Sequence, residues 1–379
     1  MKYKVVMYCP DRHIEYDGYT PKTIGVGGGI TARIRMAKAL ASLGHDVTMV
    51  VNCKEHRVID GVDYVPLDEV EHLKGDVAIV NTSGGDVDLS PVFDIPLKTE
   101  KTIVWVHGTI YPGGFDRLDV DCVYAVSNFI GEVVRRDWSV PSEKIFVVYN
   151  AFDDEVFRAA EREVSDRDPF RLIYFSHPSK GLNAAISVLR KLRSIDPEYR
   201  LDVYGGYRLW GQQERQFDSE AGVEYHGLVG QERLIQGLLR SSFSIQLQNR
   251  EEPGALAIVE ALRAGCVLLG SHVGCYPEYI KHGENGFLIA GNAETVQVHQ
   301  NTADQILKLA SDSEKLGTVR EQASAALWSS MTMARVWTAH WDYLLRGEIR
   351  EHSTCPRCEG FGLRLEDGLH CLECGRYTW

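Results

Sequence analysis

The sequence lacks any apolar run approaching the roughly 20 residues that a membrane-spanning helix requires, so no helical membrane span is expected in its 379 residues. The opening MKYKVVMYCP is basic and apolar only briefly, too short for the apolar core of a signal peptide and without a small-residue cleavage site. Positive charge is also in short supply. Lys and Arg number 41 against 53 Asp and Glu, a formal net charge of -12, which argues against a general nucleic-acid coat or a binder of anionic membranes while leaving room for a local basic groove. Low-complexity tracts and short internal repeats are missing. Cysteine is sparse until the end of the chain: Cys9, Cys53, Cys122, Cys266 and Cys275 are scattered among strands and loops and read as idle or buried thiols rather than a disulfide framework. With 44% hydrophobic and 25% charged residues, what is left is a globular, cytoplasmic protein large enough for two domains and an appendage.

What is present is a strand and helix alternation that runs twice. YKVVMY at 3–8 suits a buried parallel strand. It is followed by a polar loop, GVGGG at 25–29, apolar residues at helical spacing (Ile30, Ile34, Ala37, Leu40, Leu43), a stop at Gly44 and the strand DVTMVV at 46–51. This is a strand, glycine loop, helix, strand unit of the Rossmann kind. Further strands are expected at 76–81, 101–108, 122–127 and 144–150. The charged segment 153–169 reads as a linker. The rhythm then restarts with strands at 171–176, 200–206, 223–227, 242–248 and 266–271, and helices over 181–194, 231–240 and about 256–264. A helical stretch carrying Trp328, Trp337 and Trp341 closes the second domain. The boundaries expected are 1–153 and 154–325 for two Rossmann-like domains, 326–346 for the closing helix and 347–379 for a terminal module.

Two doubly wound domains place the carboxyl ends of both sheets around a cleft, where nucleotide ligands bind. The strongest local signal is REEPGALAIVEALRAG at 250–265. Glu252 precedes Pro253 and Gly254 at a helix start, and Glu260 follows within the helix. Exposed backbone N–H groups at a positive helix end suit a diphosphate, and two carboxylates can accept hydrogen bonds from sugar and ribose hydroxyls. The plainer reading of the same spacing is a Pro-initiated helix with surface glutamates.

Here the chain resembles the retaining glycosyltransferases of family 4, which have the GT-B fold. In that family a glutamate, seven intervening residues and a second glutamate mark the donor site, as Glu252 and Glu260 do here. The resemblance takes in GGGITARIRMAKALASLGHDV near the start, HG at 107–108, SNF at 127–129, YNAFD at 149–153, SKGL at 179–182 and GCYPEYIKHGENGFLI at 274–289, so it covers roughly residues 1–345.

The resemblance implies two Rossmann-like domains facing a cleft, with the acceptor on the first and a nucleoside-diphosphate sugar on the second. Gly28 and Gly29 would let the first loop approach phosphate or acceptor without side-chain clash. His107 would position the donor sugar, and Lys180 would neutralise the departing diphosphate. Glu260 would bind the ribose and Glu252 the sugar hydroxyls, next to Gly254 and Ala255, where the family has an aromatic residue and a glycine. The arginine that the family sets a few residues before the lysine is replaced in YFSHPSKG by the neighbourhood of Ser176 and His177. Part of the phosphate clamp is therefore absent or supplied elsewhere. No catalytic metal is expected, since retaining transferases of this fold react on one face with the leaving phosphate helping to deprotonate the acceptor, and GGDVDLS at 84–90 reads as a loop. Proximity and charge stabilisation would do most of the catalysis.

The last 25 residues carry CPRC (355–358) and, after twelve residues, CLEC (371–374). Two such knuckles can bring Cys355, Cys358, Cys371 and Cys374 to one tetrahedral structural zinc, and the intervening GFGLRLEDGLH is long enough for a β-hairpin; disulfides or a redox role are the plainer alternative, disfavoured by a cytoplasmic setting. A segment this short cannot bury a sufficient core, so the metal would hold it folded. Zinc ribbons often contact nucleic acid, but 351–379 holds three arginines and five acidic residues, which disfavours phosphate tracking.

The sequence thus points to an α/β protein of GT-B type with a C-terminal four-cysteine zinc ribbon, a glycosyltransferase acting on an unidentified hydroxyl acceptor. Two alternatives remain at this level: a transferase modifying a hydroxylated base of DNA or RNA, and a non-catalytic sugar-nucleotide sensor or adaptor.

Overall fold

The computed structural model describes residues 1–82, 88–324 and 327–347, together with the backbone of strands at 352–354, 361–365, 368–371 and 377–378. The chain divides into two compact units. One comprises Met1–Tyr19, Gly29–Ala151 and Trp328–Trp379, and the other Thr20–Gly28 and Phe152–Leu327. Among the described residues no helix is long and apolar enough to cross a membrane.

The first unit is built on eight strands: β1 (Lys4–Tyr8), β2 (Asp46–Val51), β3 (Arg57–Ile59), β4 (Val62–Pro66), β5 (Leu73–Asn81), β6 (Leu97–Val106), β7 (Cys122–Ala125) and β8 (Ile145–Val147). Their order is β3-β4-β2-β1-β5-β6-β7-β8. All neighbours are parallel except β3, which pairs antiparallel with β4. The interior strands are runs of Val, Ile and Ala with every residue buried over Val77–Asn81 and Val104–Val106, the pattern of a sheet covered on both faces. The β3–β4 hairpin turns at Asp60 and Gly61, both with positive φ (52° and 77°), which is the requirement of a two-residue turn matched to strand twist.

The helix Ser330–Arg346 belongs to this first unit, not to the second, where the sequence reading put it. Its start is capped by Ser329, whose hydroxyl accepts from the Thr332 amide at 3.2 Å. Trp337 and Trp341, both fully buried, decide its place. Trp337 packs edge-on against Trp105 (centroids 4.7 Å apart) and Tyr124 (4.9 Å), and Trp341 against His45 (5.6 Å) and Tyr3 (6.0 Å). The Tyr124 hydroxyl lies 2.8 Å from His340 Nδ1, and the Tyr3 hydroxyl bonds Asp342. An indole buries some 150–250 Å², about 4–6 kcal/mol of transfer free energy, and that apolar area is found on β1, β6 and β7.

The second unit holds β9 (Asp168–Phe175), β10 (Arg200–Tyr204), β11 (Val223–Gly227), β12 (Ser241–Gln246), β13 (Val267–Ser271) and β14 (Gly286–Ile289). The sheet is wholly parallel and ordered β11-β10-β9-β12-β13-β14, the arrangement of a dinucleotide-binding domain. The helix Leu182–Arg193 covers one face, burying Leu182, Ala185, Val188, Leu189 and Leu192 at the spacing of a single helical stripe. Residues 153–169, expected as a linker, instead contain the helix Asp154–Glu161 and the start of β9. Asp153 caps that helix, accepting from the Glu155 amide at 2.9 Å, and its four-residue FRAA core sets Phe157 and Ala160 on one buried face.

The terminal segment contains four antiparallel strands, β15 (His352–Thr354), β16 (Phe361–Leu365), β17 (Gly368–Cys371) and β18 (Tyr377–Thr378). The β16–β17 hairpin occupies the stretch between the two cysteine knuckles. Cys371 ends β17, whereas Cys355, Cys358 and Cys374 lie outside the described residues, as does most of the loop read at 84–90.

Candidate functional site

In the second unit the strand order reverses between β9 and β12. Loops leaving the carboxyl ends of such a pair diverge and leave a crevice, the place where doubly wound sheets bind ligands. After β9 come Ser176, His177 and the short turn Pro178–Lys180; after β12 the chain runs through Leu247 and Gln248 to Glu252. Gly181 locks the two loops together. Its φ is 104°, and a Cβ there would lie 1.7 Å from the Leu247 carbonyl oxygen, so only glycine fits.

This contact brings two of the predicted site residues together. Lys180 Nζ donates to Glu252 Oε2 at 2.7 Å, with 21% and 14% of the two side chains exposed. Gln248 Nε2 donates to the same carboxylate oxygen at 3.2 Å and to the Tyr276 hydroxyl at 2.6 Å, while the Gln248 amide N–H donates to Ser271 Oγ at 2.9 Å. The Gln248 Oε1 is buried without a hydrogen-bond partner, an acceptor left for something else. The Glu252 carbonyl accepts from the Cys275 amide at 2.9 Å, which fixes the loop from the far side.

A stacked platform flanks the pair. The His177 ring lies on the Trp210 indole at 3.7 Å with 7° between planes. His177 Nδ1 accepts from the Ser179 amide at 3.2 Å, and its Nε2 lies 3.3 Å from Gln212 Oε1, which fixes the tautomer as neutral with the proton on Nε2. Burial lowers the His177 pKa, the Gln212 bond opposes this, and the charges of Lys180 and Arg250 lower it further, so the ring stays neutral at pH 7. Both cations sit over the Trp210 ring: Lys180 Nζ at 5.8 Å and Arg250 Cζ at 5.2 Å from its centroid. The sequence reading missed Trp210, Arg250, Gln248 and Tyr276. An arginine is thus present beside Lys180, supplied by the loop after β12 rather than by the end of β9.

The helix Leu256–Arg263 follows Gly254 and Ala255. Its N-cap, Ala255, makes no side-chain cap hydrogen bond to the first turn. Glu260 lies on the second turn and is 3% exposed, which corrects any picture of it as a surface glutamate. Gly28 is placed in this unit, where a Cβ would touch Leu256 Cβ at 3.6 Å, an ordinary contact. Ser176 approaches the loop after β10, its carbonyl 2.6 Å from where a Cβ on Gly205 would stand.

His107 and Gly29 belong to the first unit. A Cβ on Gly29 would meet open space. His107 follows β6, its amide donates to Thr82 Oγ1 at 2.9 Å, and its Nε2 is buried without a partner. Burial, then the Arg33 charge, lowers its pKa well below the usual value, so His107 is a neutral imidazole. Arg33 in turn spans the reversal of the first sheet between β1 and β5. It donates to Asp11 at 2.7 Å and to the Thr82 carbonyl at 2.8 Å. Burial opposes the Arg33 charge, but Asp11 opposite holds its pKa above the usual value.

Residues 161–325 match the family of glycosyl transferases group 1. This segment is similar to a group 1 glycosyl transferase domain. An N-acetyl-alpha-D-glucosaminyl L-malate synthase of Bacillus anthracis is 28% identical over 108 residues, which are 28% of this chain and only 27% of that protein. A glycosyltransferase from Rickettsia africae superposes with a TM-score of 0.66 at 14% identity, covering 92% of this chain and all of that one. Anabaena HepE, solved with UDP-glucose, gives 0.59 at 16% identity over 91% of this chain and all of its own. At these identities the likeness establishes the fold, a two-domain α/β fold of GT-B type, and the matched segment contains Lys180, Trp210, Arg250, Glu252 and Glu260.

Proposed function

We propose that the protein is a retaining glycosyltransferase of the family 4 kind, moving a sugar from a nucleoside-diphosphate sugar to a hydroxyl acceptor. The observation that carries this reading is the pairing of Lys180 with Glu252 at the sheet reversal, with Arg250 joining Lys180 over Trp210. Two cations and an uncapped helix start meet the charge of a diphosphate, which grows as the glycosidic bond breaks. Glu252 is held by Lys180 in the free protein. When the diphosphate takes the ammonium, the carboxylate is released to accept from sugar hydroxyls, and Gln248 Oε1 offers a second acceptor. Glu260 takes the ribose, and neutral His107 serves the sugar as a hydrogen-bonding group rather than a cation. UDP-glucose is the first donor to try, because Anabaena HepE binds it.

The test is nucleoside-diphosphate release from UDP-, GDP-, ADP- and dTDP-sugars by the wild type and by Glu252→Gln, with the anomeric configuration of any product read by NMR. Release selective for one donor that falls in the variant supports the reading, and a retained configuration supports its stereochemistry. Nucleotide binding without release favours a sensor, and release stimulated only by hydroxylated nucleic acid favours the base-modifying alternative.

We also infer that Cys355, Cys358, Cys371 and Cys374 hold one structural zinc, supported by the two CxxC knuckles on either side of the β16–β17 hairpin. Metal analysis should find one zinc per chain, lost in Cys355→Ser/Cys358→Ser. The five other cysteines are free and buried, which suits a reducing cytoplasm.

A further inference from the structure

The second unit carries another polar cavity, away from the Lys180–Glu252 pair and on the face of β10 and β11 covered by the helix Gln231–Arg240. Its volume is about 430 Å³, within the range of small-ligand sites. Strand alternation explains it. Leu201 and Val203 point into the apolar core, so Asp202, Tyr204, Glu224 and His226 face the other way, and the helix roofs them with arginines instead of apolar side chains.

The charges do not cancel. Arg171 donates to the buried Asp202 at 3.0 Å, and His226 Nε2 lies 3.2 Å from the other oxygen of the same carboxylate. Arg233 and Arg240, seven residues apart on one helix face, have no carboxylate partner among the described residues, and both line the cavity. Arg171 Nε is buried without a hydrogen-bond partner. Tyr204 is stacked on His226 at 4.3 Å. Burial, with Asp202 adding to it against Arg233, raises its phenol to about 12, so it remains a hydroxyl donor. Gly237 makes room for it, since a Cβ there would stand 2.5 Å from the Tyr204 hydroxyl.

Asp202, Glu224 and His226 bring their ligand atoms within 4.8 Å of one another, so a cation was weighed. Two facts disfavour it: the Arg171 guanidinium already occupies Asp202, and the two nitrogens of His226 face different carboxylates, Glu224 at 3.8 Å and Asp202 at 3.2 Å. A metal would be placed against a fixed positive charge.

We propose that this cavity is a second ligand site, taking a small phosphomonoester that carries hydroxyl groups. Arg233 and Arg240 grip the phosphate through their planar forks, and Glu224, His226 and Gln236 bond the hydroxyls. The site is independent of the glycosyltransferase reading.

The experiment is calorimetric titration of the full chain at constant ionic strength with inorganic phosphate and with glucose 6-phosphate. It is run in a Lys180→Met/Arg250→Gln background, which removes the cations of the other site. Saturable binding is expected, tighter for the sugar phosphate, and at least about ten-fold weaker once Arg233→Gln and Arg240→Gln are added. Both arginines are exposed, so the added substitutions leave the core intact, which circular dichroism checks. No saturable binding, binding indifferent to the two arginines, or manganese or zinc binding lost in His226→Ala in place of phosphate binding would each overturn the proposal. Equal affinity for the two probes would overturn its hydroxyl-recognising part.

Discussion

Replacing Lys180 with Met separates the contact this side chain makes in the structure from the role proposed for it in transfer. In the resting protein its ammonium holds Glu252 at 2.7 Å in a mostly buried pair. During transfer it would face a diphosphate that gains about one negative charge. A cation at about 4 Å in an effective dielectric near 20 contributes about 4 kcal/mol, and removing one such group typically lowers kcat on the order of 10²–10³-fold. The prediction is a kcat loss of that order with a much smaller change in donor KM, because Arg250 and the helix start remain. Stability falls too, since Glu252 keeps only the Gln248 bond at 3.2 Å, and an under-satisfied carboxylate costs about 1–3 kcal/mol. The double variant Lys180→Met/Glu252→Gln should recover that stability in urea denaturation while leaving the rate low. Nucleoside-diphosphate release at saturating donor is the assay. A rate within about three-fold of wild type, less than 1 kcal/mol of barrier, would refute the assignment of Lys180 to the leaving group.

Gly181→Ala forces a Cβ to within 1.7 Å of the Leu247 carbonyl at a φ of 104°. It should cost about 2–5 kcal/mol in urea denaturation and displace Lys180, so turnover falls with stability. Trp337→Ala empties a fully buried site beside Trp105 and Tyr124 and should destabilise the first unit by about 3–5 kcal/mol, measured by chemical denaturation with a probe in that unit. His45 provides a pH test. Its Nδ1 accepts the Tyr3 amide at 3.1 Å and its Nε2 bonds Thr338 at 2.9 Å, which requires the neutral ring, and burial lowers its pKa from 6.5 to about 4. The unfolded chain therefore binds the proton first. The stability this adds is present above pH 6.5, declines as pH falls towards about 4, and amounts to at most about 3 kcal/mol. His45→Asn should flatten the pH dependence of denaturation in that window relative to wild type.

Much of the second sheet was legible because interior strands such as β13 are buried along their whole length and are correspondingly apolar. The edges of CVLLGS and VEYHG in the sequence agree closely with Val267–Ser271 and Val223–Gly227. The β3–β4 hairpin was equally legible and went unread: Asp60-Gly61 is the dipeptide that tolerates two successive positive φ values. The helix Asp154–Glu161 was hidden by its charge. Seven of the residues in DDEVFRAAERE are acidic or basic neighbours of a single buried stripe, and Phe157 and Ala160 alone mark its face.

The sequence by itself determined the two parallel-sheet units, the helix at 30–43 that follows the glycine loop, the Glu252 to Glu260 spacing and the paired cysteine knuckles, because these follow from local periodicity and from side-chain chemistry at short range. Only the tertiary structure decided that Trp337 and Trp341 belong to the first unit, that Lys180 reaches Glu252 across 72 residues of chain, and that Arg250 and Trp210 stand beside them. Those choices depend on which strands the sheet sets next to one another, and on where a large apolar ring or an unpaired charge finds the surface it can cover; no repeat in the sequence records either.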